Sequence, residues 1–575
     1  MMRRAPFFNN PVLKSSLPLW RARLVFILLF LGFAVLAGRA LFLQGLSTEF
    51  LQQQGERRYE RTLTLPAVRG KVTDRHGEVL ASSVPARAIW AIPEDAAGAS
   101  PESLAQLASL LEMNATDISA RLSDTSRNFV YLKRQVPMDV AEQVQALKVP
   151  GVSLQPEMRR YYPERDVAAH LVGFTNLDGR GQEGVELAFE SMLSGKDGSR
   201  RVIRDRLGRV IEDVRDIHPP IDGQDIRLSI DMRLQFAVYK ALQDAMEENK
   251  AKGAAAVVLD VRTGEVLALV NLPSYDPNDR TGLRGDMLRN RAVTDTFEPG
   301  SIMKPFTVAL ALDLKRISTS STFDTGNGRL VYQGRTISDV SRNGVITPAD
   351  ILRRSSNIGM TLISEKLSAQ EMWSKFTELG FGQAPKIGFP GVAAGSLRPW
   401  ERWRLIEKAT MSYGYGLSVS LMQVARAFAV FARDGDVVPL SLLQRDEAVT
   451  GTQIYTPETA RSVRSMLEAA AGEDGARRAR VDGYRVAGKS GTARKIVDGK
   501  YSTKHFRSSF VGFAPASDPR LVVAVSIDEP GAGAYYGGRV AAPVFSTIMG
   551  HCLRLLGVRP DAPVDGPVAA AGGAR

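Results

Sequence analysis

GYRVAGKSGTARK, Gly483 to Lys495, admits two incompatible readings. Its first eight residues fit the phosphate-loop pattern G-x-x-x-x-G-K-[ST]. That loop needs a strand before it and a helix after it, so that helix-end N–H groups face the bound anion. The same letters also hold K-S-G-T, Lys489 to Thr492, the pattern of a serine acyl-transfer site. The residues after Ser490 decide between them. Gly491 and then TARKIVDGKYSTKHF are glycine, charge and β-type residues with no helical apolar face. No other run reads as a second nucleotide-binding strand. The phosphate-loop match is therefore read as coincidental, and no nucleotide is expected as a partner.

An acyl-transfer site needs a serine with a base in reach. EPGSIMKP supplies S-x-x-K, with Ser301 and Lys304 at i and i+3 on one helical face. Pro299-Gly300 would put Ser301 at the helix N-terminus, beside unpaired N–H groups and the positive end of the dipole. Pro305 is compatible with that helix only near its start. Lys304 serves as a base only when neutral, and a free lysine, with a pKa of about 10.4, is almost wholly charged at pH 7. Burial and a second cation lower that value, and Lys489 is the candidate cation. Between these elements RRSSNIG, 353–359, supplies S-x-N as Ser355-Ser356-Asn357. Ser355 is placed to relay a proton, and the Asn357 amide to donate to a substrate carbonyl. Alone, S-x-N reads more simply as a capped helix turn, and an S-x-x-K arises by chance roughly once or twice in a chain of this length. The ordered set S-x-x-K, S-x-N, K-[ST]-G is far more specific than any part.

Composition sets the frame. The 575 residues suffice for at least two cores, and 44% apolar with 24% charged residues excludes wholesale disorder. Net charge is +12, compatible with an anionic polymer, an anionic membrane surface or simply a solvated surface. Cys552 is the one cysteine, so no intramolecular disulfide forms. His76, His170, His218, His505 and His551 are scattered without ligand spacing. No metal or other cofactor is expected.

The segment 24–43 is apolar except for Arg39 and long enough for one transmembrane helix. Arg3, Arg4, Lys14, Arg21 and Arg23 precede it, with no Asp or Glu. The positive-inside rule then puts residues 1–23 in the cytoplasm and the rest outside. The absence of an A-x-A site after the span favours an uncleaved anchor over a signal peptide. An external location for most of the chain also argues against ATP or GTP.

Residues 44–225 read as one mixed region. Glu60–Ser83 alternates around a turn at His76-Gly77, as in a hairpin. Ser100-Pro101 opens a helix with Leu104, Leu107, Leu110 and Leu111 on one face. A new domain is expected at 226–557. Its strands are Ala254–Val261, Val266–Leu272, Ser509–Ala514 and Leu521–Ile527, and its helices Ser301–Leu314, Pro348–Leu367 and Thr456–Ala471. Helices around an antiparallel sheet make it α+β. Residues 558–575, rich in Pro, Ala and Gly, are expected to be a disordered tail.

The three motifs resemble those of the penicillin-binding protein and serine β-lactamase superfamily. The resemblance extends to RGKVTDRHGEVLA, RYYP, GQEGVELAFESMLSGKDG, AAAVVLDVRTGEVLALVNLPSYDPN, MSYGYGLSVSLMQVARAFA and VGFAPASDPRLVVAVSIDEP. These look like class B penicillin-binding proteins over roughly residues 20 to 552. FEPGSIMKP and YYGGRVAAPVFSTIM are most similar to the division-specific peptidoglycan D,D-transpeptidases of that class, the penicillin-binding protein 3 type. Ser356 stands where some relatives have Asp, and Ser490 where many have Thr.

The resemblance implies an inner-membrane anchor, a pedestal of the dimerisation type over 44–225 and a periplasmic transpeptidase domain. It implies Ser301 as nucleophile, Lys304 as base, Ser355 and Asn357 flanking the cleft, and Lys489 supporting the electrostatics. Ser490, Gly491 and Thr492 would hold the substrate carboxylate and complete an oxyanion hole. Tyr535 and Tyr536, in the glycine-rich stretch Gly531 to Gly538, are candidates to line the pocket. The implied partners are peptidoglycan stem peptides, β-lactams, a membrane-embedded glycosyltransferase and other division proteins, with no nucleic acid. Three alternatives share the scaffold: an elongation-type transpeptidase, a D,D-carboxypeptidase or β-lactamase, and a non-catalytic division scaffold or β-lactam sensor.

Overall fold

The computed structural model describes residues 18–43, 60–127, 129–204, 210–445, 447, 449–472 and 476–563, with backbone only for 60–63, 201–204 and 210–216. The chain divides into two compact units, Met1–Ala67 with Lys196–Ile221, and Val68–Gly195 with Asp222–Arg575.

In the first unit Leu19–Leu41 is a single 23-residue helix, long and apolar enough to cross a membrane. Arg39 lies in its last turn. Strands Glu60–Leu65, Gly198–Arg204 and Val210–His218 form a three-stranded antiparallel sheet. The basic residues Arg3, Arg4 and Lys14 lie outside the described residues.

The second unit holds the larger core. Its centre is a five-stranded antiparallel sheet of β1 (Gly253–Asp260), β2 (Val266–Leu272), β3 (Ala487–Val497), β4 (Lys500–Ala514) and β5 (Leu521–Asp528), in the order β2-β1-β5-β4-β3. Strands β1 and β2 are buried at every position, so alternation alone cannot be seen in them as polar against apolar. It appears instead as a division between two cores. Ala254, Ala256 and Val258 pack with helices α1 (Met232–Asn249) and α7 (Gly537–Leu555) on one face. Ala255, Val257 and Leu259 pack into the other core, with α2 (Lys304–Asp313), α3 (Pro348–Arg354), α4 (Asn357–Glu365), α5 (Leu421–Ala432) and α6 (Pro457–Ala471). Beneath α2, Phe306 packs against Phe381, Phe428 and Phe431 at ring separations of 5.5, 5.4 and 5.3 Å. The Tyr455 hydroxyl donates to the Phe306 carbonyl.

Three expectations change. Glu60–Ser83 is not one hairpin: Glu60–Leu65 pairs with Gly198–Arg204, and only Val72–Thr73 folds back on the strand Val79–Ala91. The turn does hold, through Asp74, which accepts from the N–H groups of His76 and Glu78. Pro348–Leu367 is two helices, because Ser355 adopts φ 57° and caps α3, and Ser356 then caps α4. Near the expected domain start at 226, the Arg75 N–H donates to Ile230 O and His76 bonds Asp231, so the His76-Gly77 turn is tied to the start of α1. The tail also begins later than 558. Tyr484 donates to Val558 O, and Asp561 accepts from the Arg485 N–H and the Ser517 hydroxyl. Residues 564–575 lie outside the described residues.

The helix opened by Ser100 forms as expected over Pro101–Leu110, with Ser100 accepting from the Ser103 N–H and Leu107 and Leu111 fully buried.

Candidate active site

Lys489 lies near the start of β3, and the chain continues as strand to Val497. Paired with β4 from Ala487↔Phe513 onward, it offers no helix end to a phosphate. Along β3 the burial alternates: Lys489, Gly491 and Ala493 are buried, while Ser490 and Thr492 are partly open. Gly491 must be glycine. A Cβ there would come within 2.9 Å of Ile302 and of the Pro299 carbonyl, because β3 lies directly against the turn that carries Ser301.

That turn is a short 3₁₀ helix, Gly300–Met303, which leads into α2 at Lys304. Pro305 occupies the first turn of α2, where its missing N–H would have had no intrahelical partner. Gly414 supports the turn from behind. The Gly300 N–H donates to Gly414 O at 3.0 Å, and a Cβ on Gly414 would sit 2.0 Å from the Gly300 carbonyl.

The S-x-N residues arrive from the α3–α4 junction. The left-handed Ser355 ends α3 and turns its hydroxyl to Ser301, donating to Ser301 Oγ at 2.9 Å. Lys304 is completely buried. Its Nζ donates to Ser355 O at 2.6 Å, Ser355 Oγ at 3.1 Å and Asn357 Oδ1 at 2.9 Å. The connection from Lys304 to Ser301 thus runs through the Ser355 hydroxyl. Burial, and then the Lys489 charge, push the Lys304 ammonium well below the ordinary lysine value, against an opposing pull from Asp339. Lys489 is itself buried and is pushed down to about 8. The site therefore loosens the ammonium's hold on its proton one hydroxyl away from a serine, which is what activating a weak nucleophile requires.

Ser301, Lys304, Ser355, Asn357 and β3 come together as the sequence predicts. Thr492 Oγ1 accepts from the Gly537 N–H at 2.9 Å, which ties β3 to the start of α7. Tyr535 stacks on Phe506 and Tyr536 at 4.1 and 4.5 Å, so packing accounts for it, while Tyr536 is 46% exposed.

Sequence reasoning missed Asp339. Its carboxylate accepts from the Ser356 hydroxyl at 2.5 Å and from the N–H groups of Asn357 and Ile358 at 2.6 and 3.0 Å. It neutralises the N-terminus of α4 and fixes the turn that presents Ser355. A lone aspartate in SDVSRNG carries no local signal for this, since the contact spans 18 positions. Among the described residues no group of three or more His, Cys, Asp or Glu is placed to hold a metal.

Comparison with known proteins agrees with this geometry. The penicillin binding protein transpeptidase domain matches residues 254–550, and the penicillin-binding protein dimerisation domain matches 64–228. The chain is 42% identical over 548 residues to the probable peptidoglycan D,D-transpeptidase PenA of Neisseria gonorrhoeae, covering 94% of each chain. It is 41% identical over 550 residues to the peptidoglycan D,D-transpeptidase FtsI of Escherichia coli K12, covering 94% of this chain and 93% of that one. Among solved structures, the transpeptidase domain of Burkholderia pseudomallei penicillin-binding protein 3 is 51% identical, with a TM-score of 0.55, over 58% of this chain and 98% of that one. A peptidoglycan synthetase from Bifidobacterium adolescentis is 27% identical, with a TM-score of 0.70, over 88% of this chain and 98% of that one. The chain belongs to the penicillin-binding protein family, as one of its serine-type peptidoglycan D,D-transpeptidases.

Proposed function

We propose that the protein cross-links peptidoglycan stem peptides at the division septum through an acyl-enzyme on Ser301. The observation that carries this is the buried Lys304, held below its usual basicity and joined to Ser301 through Ser355. In the first half-reaction the two hydroxyls turn, so that Ser301 donates to Ser355 Oγ and Ser355 to neutral Lys304, and the Ser301 proton passes along this path as Oγ attacks the penultimate D-Ala carbonyl. N–H groups of Ser301 and Thr492 stabilise the oxyanion, generally a large catalytic contribution. Lys304 returns the proton to the departing D-Ala nitrogen as the C–N bond breaks. In the second half, an amine from a neighbouring stem attacks the ester. Its proton goes to Lys304 and on to Ser301 Oγ as the C–O bond breaks. Asn357 orients the substrate amide, and Lys489, Ser490, Gly491 and Thr492 hold its carboxylate end, with Tyr536 along the rim and Tyr535 behind it. A β-lactam enters the first half-reaction and acylates Ser301.

The basic residues before Leu24 orient the anchor with its N-terminus in the cytoplasm, which puts the site in the periplasm of an inner-membrane protein. The region 44–225 serves as a pedestal for other division proteins, including a membrane-embedded glycosyltransferase. A reporter fused after Thr48 should be active only outside the cytoplasm; activity inside would overturn the topology. Labelling the full-length protein with a fluorescent penicillin tests the chemistry. Wild type should label covalently and Ser301→Ala not at all; equal labelling of both would remove Ser301 from its role.

A further inference from the structure

Three positions before the nucleophile, Glu298 carries a carboxylate that the acylation chemistry does not use. Its Oε1 accepts from the Gly416 N–H at 2.8 Å and from the Tyr501 hydroxyl at 3.0 Å. Its Oε2 is buried and accepts no hydrogen bond. Both donors are neutral, and no cation is paired with Glu298 among the described residues. A buried carboxylate oxygen without a partner is expensive unless a partner arrives.

Two aromatic rings frame this carboxylate. Tyr415 and Tyr501 meet edge to face at 6.0 Å, and both hydroxyls feel the Glu298 charge. Tyr501 lies beyond Thr492 on the same hairpin, opposite Ile496, and is 48% exposed. Tyr415 sits between Gly414, which holds the Ser301 turn, and Gly416, which holds Glu298. The corner therefore lies one short stretch of chain before the nucleophile, against the hairpin of β3 and β4, with the Tyr501 ring as its exposed wall. Arg494 also acts on Tyr415, from an exposed position on β3 where water screens it. One carboxylate with an unpaired oxygen, flanked by two electron-rich rings, is the set of groups that recognises a primary ammonium.

We infer that Glu298, Tyr415 and Tyr501 form a subsite for the ammonium group of the acceptor stem peptide. This rests on the transpeptidase reading. It gives that reading an acceptor class: a primary amine that binds as an ammonium and gives one proton to water before its freed lone pair attacks the ester, in preference to water or a neutral nucleophile.

The test uses the full-length protein in detergent, a thiolester donor to form the acyl-enzyme, and Nα-acetyl-lysine amide as the ammonium acceptor. Hydroxylamine, neutral at the pH of the assay, serves as the uncharged competitor. Glu298→Gln is isosteric and keeps an oxygen for Gly416 and Tyr501. It should raise the KM for the lysine acceptor about 10-fold or more, the effect of losing a hydrogen bond to a charged group. The ratio of hydroxylamine transfer to hydrolysis should change far less. Glu298→Asp, which keeps the charge, should recover part of the lysine KM. If Glu298 is only a structural tether, Gln would slow acylation and both transfers together, and the inference falls. An unchanged lysine KM, with the acyl-enzyme still forming, also overturns it while leaving the transpeptidase reading intact. Failure of wild type to acylate at all overturns both.

Discussion

Two places in the second unit bury charge in opposite ways. Arg69 and Arg160 grip Glu186 at 2.6 and 2.7 Å, with Glu190 at 2.7 Å from Arg69. Further bonds go from Arg69 to Gly179 O and Glu186 O and from Arg160 to Arg69 O and Ser83. Two guanidiniums meet two carboxylates, and the set is neutral. Around Lys304 there is no such closure. It is fully buried, its hydrogen-bond partners are neutral oxygens, and the charge that acts on it most strongly is another lysine. A compensated buried charge can stay ionised and hold a structure together. An uncompensated one gives up its proton, and that is what makes it useful as a base.

The contrast breaks most sharply at Lys304. Lys304→Ala should slow β-lactam acylation by about 10²–10⁴-fold, the usual worth of a positioned base. Lys304→Arg should be nearly as poor, because a guanidinium stays protonated. Near-normal second-order acylation by the Arg variant would mean that charge, not basicity, matters there. At the other place the loss should appear as stability. Glu186→Gln leaves two buried arginines short of a carboxylate, and breaking a buried pair typically costs ~3–5 kcal/mol. Thermal unfolding should show that loss while acylation per folded molecule holds. A variant that keeps its stability but loses acylation would reverse the assignment.

Two smaller effects sharpen the comparison. Asp339→Asn should slow acylation about 10-fold, by weakening charge-assisted bonds to the Ser355–Asn357 turn. The smallest effect is a movement of the acid limb of the pH–rate profile. The limb marks loss of a proton from the base, so a lower Lys304 pKa moves it to lower pH. Asp339 raises that pKa and Lys489 lowers it. Asp339→Asn should therefore move the limb down in pH, and Lys489→Met should move it up. Movement of both variants in the same direction would show that geometry, not charge, sets the profile.

The parts legible in the sequence are those whose determinants are local. Ser100-Pro101 and Thr456-Pro457 announce helix starts, and both caps form. The β1–β2 pair is legible from the two apolar runs Ala254–Val261 and Val266–Leu272. The order of the three motifs gave the site, because each is contiguous. What was missed depends on distant partners. Glu60–Leu65 is strand-like by composition, but its choice of Gly198–Arg204 over a nearer partner is a matter of tertiary pairing. The break at Ser355 looks like continuous helix because Arg353, Arg354 and Ile358 keep a helical pattern through it. Only the left-handed residue and the distant Asp339 explain why the chain turns there. Tail residues such as Asp561 read as linker until their acceptors are matched to Arg485 and Ser517.

The bond from Gly537 to Thr492 has a directional consequence. A hydroxyl has one proton to give and two lone pairs to receive with. The start of α7 fills one lone pair of Thr492 with a backbone N–H, and a backbone amide cannot swap roles as a water can. The rotor is thereby biased, with its proton left to point elsewhere. A side chain that would otherwise be ambivalent is biased toward donating, which suits an anion better than a cation. Its polarity is written by a helix that begins 45 residues further along the chain.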